Sequence, residues 1–296
     1  MDGIILIDKP AGRTSAEVVR GVKRSLGKRC RVGHLGTLDP FATGVLPILI
    51  GEGTKLAPFL QHDRKEYRGI IALGVATDTL DRTGITVSTA QVPPFDARRL
   101  SAVAQQFIGV VKQTPPIFSA IKRGGVPLYR LARRCREVEP PSPREVEITR
   151  LELEPRGADS IQFDITCSPG TYVRSLARDI GAALGTVAHL HELRRLRSGS
   201  FSIDDAVALD VFIAALETDA NPGLIDLRAA LPGLAEIEID ASTESRLRNG
   251  DSRALDGFVP ASAGRFKVVS SGKLVAVAES TSRVTATIAR IFNAAG

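Results

Sequence analysis

Residues 33–44, GHLGTLDPFATG, constrain this chain more than any other stretch: three glycines, a histidine, two threonines and an Asp-Pro pair fall within twelve positions. Glycine tolerates positive φ and lets another backbone come close, so a segment this rich in it can wrap a ligand. Asp39 precedes Pro40, which biases it toward an extended backbone. The ordinary role of an Asp-Pro pair is to start a turn. The density of glycine and polar residues around this one points further, to a ligand loop that carries a carboxylate. Residues 45–50 (VLPILI) follow as a short apolar run of buried-strand type, with Pro47 expected to place it at an edge or a bulge.

The remaining pattern alternates strands and helices. Residues 3–8 (GIILID) read as a buried strand ended by the turn-forming KPAG. Thr14 stands three before Glu17, the spacing of a capping box, and opens a helix with Val18, Val22 and Leu26 on one face. Residues 67–73 continue the strand pattern, and TDTLDRTG after them is polar and turn-like. Asp96 caps a helix that turns Leu100, Val103 and Phe107 inward. Strands follow at 146–153 and 161–167, then a helix over 171–184 with Val173, Leu176, Ile180 and Leu184 at helical spacing. Arg174 and Arg178 lie off that apolar face, one turn apart. Asp204 and Asp205 suit the positive end of a further helix.

Residues 114–144 differ in character, rich in Pro, Gly and Arg, and read as an extended, partly mobile insertion. From residue 237 the texture changes to short strand-like runs, FKVVS, KLVAVAES and VTATIARIF, preceded by one helical piece, TESRLRNG. A large α+β domain over 1–235 and a small β-rich domain over 236–296 are expected, the latter near the lower size for independent folding.

Composition narrows the function classes. With 43% hydrophobic and 24% charged residues the chain builds an ordinary core. No apolar run approaches the ~20 residues a membrane helix needs, and MDGIILIDKP lacks the basic start of a signal peptide, so a cytoplasmic location without membrane contact is expected. Cys30, Cys135 and Cys167 are far apart, which indicates neither a disulfide framework nor a zinc site. His189 and His191 form a His-x-His pair without accompanying ligands, so no metal is expected. The net charge of +6 is gathered into three clusters: Arg20, Lys23, Arg24, Lys28, Arg29 and Arg31; Lys122, Arg123, Arg130, Arg133, Arg134 and Arg136; Arg194, Arg195 and Arg197. Any one of them is ordinarily a solvated face. Three together suit a polyphosphate partner, since each neutralised phosphate releases a counterion.

The segment GHLGTLDPFATGVLPILIGEGTK resembles the signature of bacterial pseudouridine synthases of the tRNA pseudouridine-55 type, the TruB family. Further segments similar to the family occur in the same order: DKPAGRTS at 8–15, KEYR at 65–68, GVATDTLDRTG at 74–84, TPPIFSAIKRGGVPLYRLAR at 114–133, CSPGTYVRSLARDIG at 167–181 and HLHELRRLRSGSF at 189–201. The likeness spans nearly the whole chain, more weakly at the C-terminus, which is similar to the small RNA-binding PUA domain. Arg13, Glu17 and Cys135 depart from the usual pattern without touching a proposed role.

The resemblance implies a mixed, mainly antiparallel central sheet flanked by helices. It implies an isomerase that converts uridine 55 in the T-loop of tRNA to pseudouridine by flipping the base, cleaving the glycosidic bond and rejoining through carbon 5. The essential carboxylate maps to Asp39, which meets positive charge developing on the sugar as glycosidase carboxylates do. Arg174 is implied beside it, keeping it ionised by lowering its pKa; Tyr67 is implied to stack on the uracil ring and Leu193 to wall the same pocket. His34 is implied to fill the space left by flipped nucleotides. Lys9, Lys55 and the Arg194–Arg197 group are expected to meet phosphates, Asp81 to organise the loop floor or touch RNA, and residues 114–144 to close over the RNA as a thumb. No cofactor and no obligatory protein partner are implied, and a monomer is expected.

Three rival readings have sequence discriminants. A non-catalytic RNA-binding protein or chaperone would need the basic clusters but not the set Asp39, Tyr67 and Arg174. A guide-RNA-dependent relative usually carries a longer C-terminal region and depends on partner proteins. A nucleoside hydrolase would need a carboxylate-rich metal site, for which the sequence offers no cluster.

Overall fold

In a computed structural model of the chain, the described residues are 1–27, 29–134, 138–218, 223–251, 253–260, 264–280 and 284–293. Lys28, Cys135 and Arg136, named above, lie outside them, as do the side chains of Arg133 and Arg134. The spine is a ten-stranded sheet. Its order is Val207–Ala208, Gly3–Lys9, Thr43–Ile50, Ala188–Ser198, Lys65–Leu73, Ser160–Cys167, Arg144–Pro155 and Gly109–Gln113, with Val32–His34 on the Thr43–Ile50 strand and Phe201–Ser202 on Ala188–Ser198. Two pairings are parallel, Gly3–Lys9 with Val207–Ala208 and Ala188–Ser198 with Thr43–Ile50; the rest are antiparallel. The sheet is therefore mixed and mainly antiparallel, as the resemblance implies.

Strand alternation decides which side chains meet the helices. Tyr67 and Ile71 share a core with Phe163, Ile165 and the apolar faces of Ala97–Gln105 (Leu100, Val103) and Val173–Ala183 (Leu176, Ile180). Helices Ser15–Leu26 and Leu209–Glu217 bring Val18, Val22 and Phe212 against Ile5, Ile7, Leu46 and Ile48. The Thr14 capping box forms as expected, its hydroxyl accepting from the Glu17 N–H at 3.1 Å and its N–H donating to Glu17 at 2.7 Å. No helix among the described residues is long and apolar enough to cross a membrane.

Four strands, Ala235–Glu238, Arg265–Ser270, Lys273–Ser280 and Ala286–Ile291, form a separate sheet with helix Ala241–Arg248. Leu274, Val277 and Phe292 of this part pack against Ile4, Leu6 and Leu49 of the large sheet.

Four local expectations change. Pro47 lies within the sheet, opposite Leu6, rather than on an outer edge. Its carbonyl accepts from the Leu35 N–H at 2.9 Å, so its ring nitrogen faces the side where Val32–His34 has just ended and no donor is required. Asp204 and Asp205 sit in a short 3-10 turn and do not cap Leu209–Glu217, whose N-cap is Ala208 and whose first turn carries Asp210 instead. Phe107 packs inward from beyond the end of Ala97–Gln105. The insertion at 114–144 is not simply extended. It contains a hairpin, Lys122–Arg123 with Val126–Pro127, and helix Leu128–Arg134. Gly124 and Gly125 turn the hairpin at φ +56 and +80, two positive values in succession that a Gly-Gly pair accommodates.

Candidate active site

The glycine-rich loop is fastened to the core from four directions. Asp39 starts a turn in which the Ala42 N–H donates to its carbonyl at 3.1 Å, so the ordinary Asp-Pro role is also fulfilled. Ser15, buried at the start of its helix, donates to the Leu38 carbonyl at 3.2 Å and accepts from the Leu38 N–H at 2.9 Å. The Gly12 N–H donates to the Pro40 carbonyl at 2.8 Å. From below, the Arg195 guanidinium donates to the carbonyls of Gly36 at 3.1 Å and Val45 at 2.8 Å, on either side of the carboxylate.

Lys9 supplies another fastening. It is fully buried, and its ammonium donates to the carbonyls of Pro10, Arg13 and Pro40 at 2.8, 2.7 and 3.2 Å. All three donor positions go to the chain, which corrects the expectation of a phosphate contact. Burial pulls its pKa down to about 8, partly offset by Asp39. Lys55 is corrected for a similar reason: its ammonium pairs with Glu52 and donates to the Ile291 carbonyl at 3.1 Å. Glu52 also takes Arg31 at 2.6 Å and the Asn293 N–H at 2.8 Å, so this cluster joins the large sheet to the C-terminal part. Arg195 is 1% exposed and cannot meet a phosphate, whereas Arg194 is partly exposed and pairs with Asp8 at 2.8 Å.

Arg174 enters from the first turn of Val173–Ala183. That helix has no side-chain cap of its own. Gln113, on a neighbouring strand, takes the role, accepting from the Tyr172 N–H at 2.7 Å and donating to the Tyr172 carbonyl at 3.1 Å. The guanidinium meets Asp39 side-on, with Nε 2.8 Å from Oδ2 and Nη2 3.0 Å from Oδ1. It also donates to the carbonyls of Thr79 at 2.8 Å and Phe118 at 2.9 Å, and Asp81 lies 3.6 Å away. Arg174 is buried, while the Asp39 side chain keeps 31% of its surface exposed to the cavity. Asp81 organises the floor: its Oδ1 accepts from the hydroxyls of Thr79 at 2.9 Å and Thr83 at 2.6 Å and from the Thr83 N–H at 2.9 Å.

The electrostatics differ from the simple expectation. Burial pushes the Asp39 carboxyl above its ordinary value; Arg174 opposes this, and Asp81 adds to it. The guanidinium acts in the expected sense but does not set the net direction, because desolvation of the carboxylate is larger. Burial also raises Tyr67, which keeps its phenol protonated at neutral pH. Burial, then Arg195, lowers His34, which is neutral there. His34 Nδ1 is buried without a hydrogen-bond partner among the described residues.

A cavity of about 940 Å³ opens over this arrangement and is lined by His34, Asp39, Tyr67, Asp81, Arg174 and Leu193. Six of the eight sequence-expected site residues thus converge; Lys9 and Lys55 do not line it. Ser15, Thr79, Phe118, Tyr172 and Arg195 line it as well and were not foreseen there. The cavity can take a planar ring against Tyr67 and Leu193 with a carboxylate at its edge. Among the described residues no group of three or more His, Cys, Asp or Glu is placed to hold a metal ion, and His189 directs Nδ1 to the Val75 carbonyl at 2.9 Å.

Comparison with known proteins gives a consistent assignment. Residues 23–173 match the family described as TruB family pseudouridylate synthase, N-terminal domain. Residues 174–232 match the tRNA pseudouridylate synthase B C-terminal domain. The tRNA pseudouridine synthase B of Geotalea uraniireducens is 46% identical over 87% of this chain and 83% of its own length. That of Geobacter sulfurreducens is 42% identical over 95% and 94%. Among solved structures, one of a Cbf5-Nop10-Gar1 complex superposes with a TM-score of 0.74 at 26% identity, covering 98% of this chain and 85% of that one. An archaeal box H/ACA Nop10-Cbf5 complex gives 0.70 at 24%, a likeness of fold.

Proposed function

Because the chain belongs to the TruB family of pseudouridylate synthases, we propose that it isomerises uridine 55 in the T-loop of tRNA to pseudouridine, with Asp39 as the essential carboxylate. The observation that carries this reading is the side-on ion pair of Asp39 with a buried Arg174 inside a cavity walled by Tyr67 and Leu193.

The target base is stacked in a folded loop and must be turned out to reach this cavity. The flipped uracil stacks on Tyr67 against Leu193, and His34, which lines the cavity, occupies the space vacated in the RNA. Cleavage of the bond between C1′ and N1 leaves the electron pair on the base and positive charge on the sugar. Asp39 answers that charge as an anion, either by attacking C1′ or by removing the C2′ proton to give a glycal. Both first steps need the carboxylate ionised and aimed, which is the work of Arg174. Reattachment through carbon 5 and loss of its proton complete an isomerisation that consumes no co-substrate.

The insertion at 114–144 acts as a thumb over the RNA, and its residues Phe118, Tyr129 and Arg130 already line the cavity. Arg20 and Arg130 stand where Lys9 and Lys55 do not, with exposed or half-buried cations at the cavity. The C-terminal sheet serves as a PUA-like RNA-binding domain, and the enzyme works as a monomer in the cytoplasm without a protein partner. The test is tritium release from a T-arm stem-loop carrying carbon-5-labelled uridine, using purified protein alone with chelator present. Release stoichiometric with uridine 55 supports the reading, and silence of the wild-type protein overturns it.

A further inference from the structure

The helix bearing Arg174 begins in a way that its own sequence does not settle. Tyr172, its N-cap residue, supplies no side-chain cap, and Arg174 is a cation in the first turn, where the helix dipole disfavours positive charge. Contacts from outside therefore decide where this turn sits. They come from one short run, residues 113–118, where the edge strand Gly109–Gln113 passes into the insertion.

Gln113 is buried, and both halves of its amide go to a single residue. Its Oε1 accepts from the Tyr172 N–H at 2.7 Å and its Nε2 donates to the Tyr172 carbonyl at 3.1 Å. That carbonyl also accepts from the Leu176 N–H at 3.1 Å, so the grip falls on the group that starts the helix. Ser175, fully buried, donates through Oγ to the Thr114 carbonyl at 2.8 Å. Arg174 Nη2 donates to the Phe118 carbonyl at 2.9 Å. Residues 113, 114 and 118 thus hold residues 172, 175 and 174. Across the ladder from Gln113 stands Arg144, where the insertion rejoins the sheet. Its guanidinium lies 4.7 Å from the centre of the Tyr172 ring and donates from Nη2 to the Gly170 carbonyl at 2.8 Å.

We infer that Gln113 is a positioning residue for the isomerisation: by gripping both backbone groups of Tyr172 it fixes the helix turn from which Arg174 reaches Asp39. This rests on the function proposed above. Tyr172 and Arg174 are two residues apart, so a shift of the turn passes directly to the guanidinium that holds the carboxylate. Misplacement of such a group by about 1 Å lowers a rate on the order of a hundredfold. Tyr67 and Leu193, which wall the cavity, stand on the strands Lys65–Leu73 and Ala188–Ser198 and do not depend on this turn, so turnover should suffer more than binding.

The test uses Gln113→Met, which removes both bonds at similar size, and Gln113→Glu, which keeps an acceptor for the Tyr172 N–H. Arg174→Gln and the double variant Gln113→Met with Arg174→Gln complete the set, assayed with the wild-type protein on the T-arm stem-loop. Expected for Gln113→Met is a fall in kcat of about tenfold or more with KM little changed, and partial recovery in Gln113→Glu. Because Gln113 acts through Arg174, the double variant should be little slower than Arg174→Gln. The acid limb of kcat/KM should move to higher pH in Gln113→Met, since Asp39 is faced by Arg174, Asp81 and Lys9 and loses its hold on the first. A readout free of turnover is the side-chain NMR signal of the Arg174 guanidinium in the protein alone, identified by its loss in Arg174→Gln. It should shift in Gln113→Met. Unchanged kcat, additive losses in the double variant, an acid limb that stays in place or an unshifted guanidinium signal would overturn the inference while wild-type turnover leaves the function standing. If Gln113→Met does not fold, Gln113→Glu, which lacks the donor to the Tyr172 carbonyl, decides the same question by the same readouts. An inactive wild type would instead sink the function itself, with the guanidinium signal still reading the placement of Arg174.

Discussion

Arg174 holds Asp39 by a hydrogen bond from Nη2 to Oδ1 at 3.0 Å and an ion-pair contact of Nε with Oδ2 at 2.8 Å, while Nη1 and Nη2 also donate to the carbonyls of Thr79 and Phe118. A guanidinium braced by two carbonyls gives the carboxylate a fixed partner, with its exposed side toward the cavity.

Asp39→Asn keeps the shape of this contact and removes the charge. Turnover should fall by at least about three orders of magnitude, as when a carboxylate central to the chemistry is neutralised. RNA binding should persist within a few fold, since cations such as Arg20 and Arg130 lie elsewhere in the cavity. Tritium release and filter binding on one preparation separate the two. Retained turnover would remove Asp39 from its role.

The acid limb of the rate profile should lie above the usual aspartate range. In the proposed reaction Asp39 works ionised, and burial holds its folded-state pKa above the ordinary value, so activity should be lost as pH falls through that raised value. Arg174 is the largest opposing influence, hence Arg174→Gln should move the limb to still higher pH and cut kcat/KM by about a hundredfold or more. A limb that stays in place, or moves down, contradicts the electrostatic assignment.

Binding of the stem-loop should weaken steeply with salt, the logarithm of affinity falling linearly with the logarithm of salt concentration by about 0.7–0.9 per phosphate neutralised. Arg20→Ala should reduce that slope, because Arg20 pairs only loosely with Glu17 at 3.8 Å and lines the cavity. Lys9→Met should leave the slope unchanged, its ammonium being spent on three backbone carbonyls. Fluorescence anisotropy across a salt series measures both.

What the sequence disclosed follows from which signals are local. Asp39, Tyr67 and Arg174 sit in segments dense enough to carry a resemblance, and the Thr14 capping box needs only four residues, so both were legible. Lys9, Lys55 and Arg195 were read as surface cations because a charge ordinarily seeks water. Lys9 and Arg195 are instead buried on backbone carbonyls, and Lys55 is drawn to Glu52 and the Ile291 carbonyl; a carbonyl is present at every residue and leaves no mark in a sequence. The same holds for Gln113 capping a helix 59 residues away and for Thr79 and Phe118 bracing Arg174. Pro47 was misplaced because its fit depends on where another strand stops.

Glu52→Gln should loosen the C-terminal part from the large sheet. Glu52 is mostly buried and accepts from Lys55, Arg31 and the Asn293 N–H; burial pushes its pKa up, but these partners outweigh it and the net shift is downward. A carboxyl depressed in the folded state contributes stability that is present above its unfolded value and lost as pH falls through the folded one. Wild type should therefore lose this contribution below the usual glutamate range, whereas Glu52→Gln lacks it throughout. A loss of about 1–3 kcal/mol at neutral pH, shrinking toward acid, is expected in chemical denaturation. A pH-independent difference would assign the effect to packing.

Gly44→Ala should damage both fold and chemistry, because Gly44 is where the loop bearing Asp39 enters the sheet. Its φ is +109, outside the range most side chains adopt, and it pairs in parallel with Arg195. A Cβ there would lie 2.2 Å from the Arg195 carbonyl oxygen and 2.5 Å from its nitrogen. Both are backbone atoms of a central strand, so no side-chain adjustment relieves the clash. The strands must separate, and Arg195 with its bonds to Gly36 and Val45 must shift with them. Thermal unfolding should show a clear loss of stability, and any folded protein should retain stem-loop binding better than turnover, since the displacement falls on the Asp39 loop. Gly12→Ala is the control: its positive φ is strained, but nothing lies within 4 Å of an added Cβ. Equal damage from the two substitutions would mean that backbone strain, rather than the approach of Arg195, governs the loop.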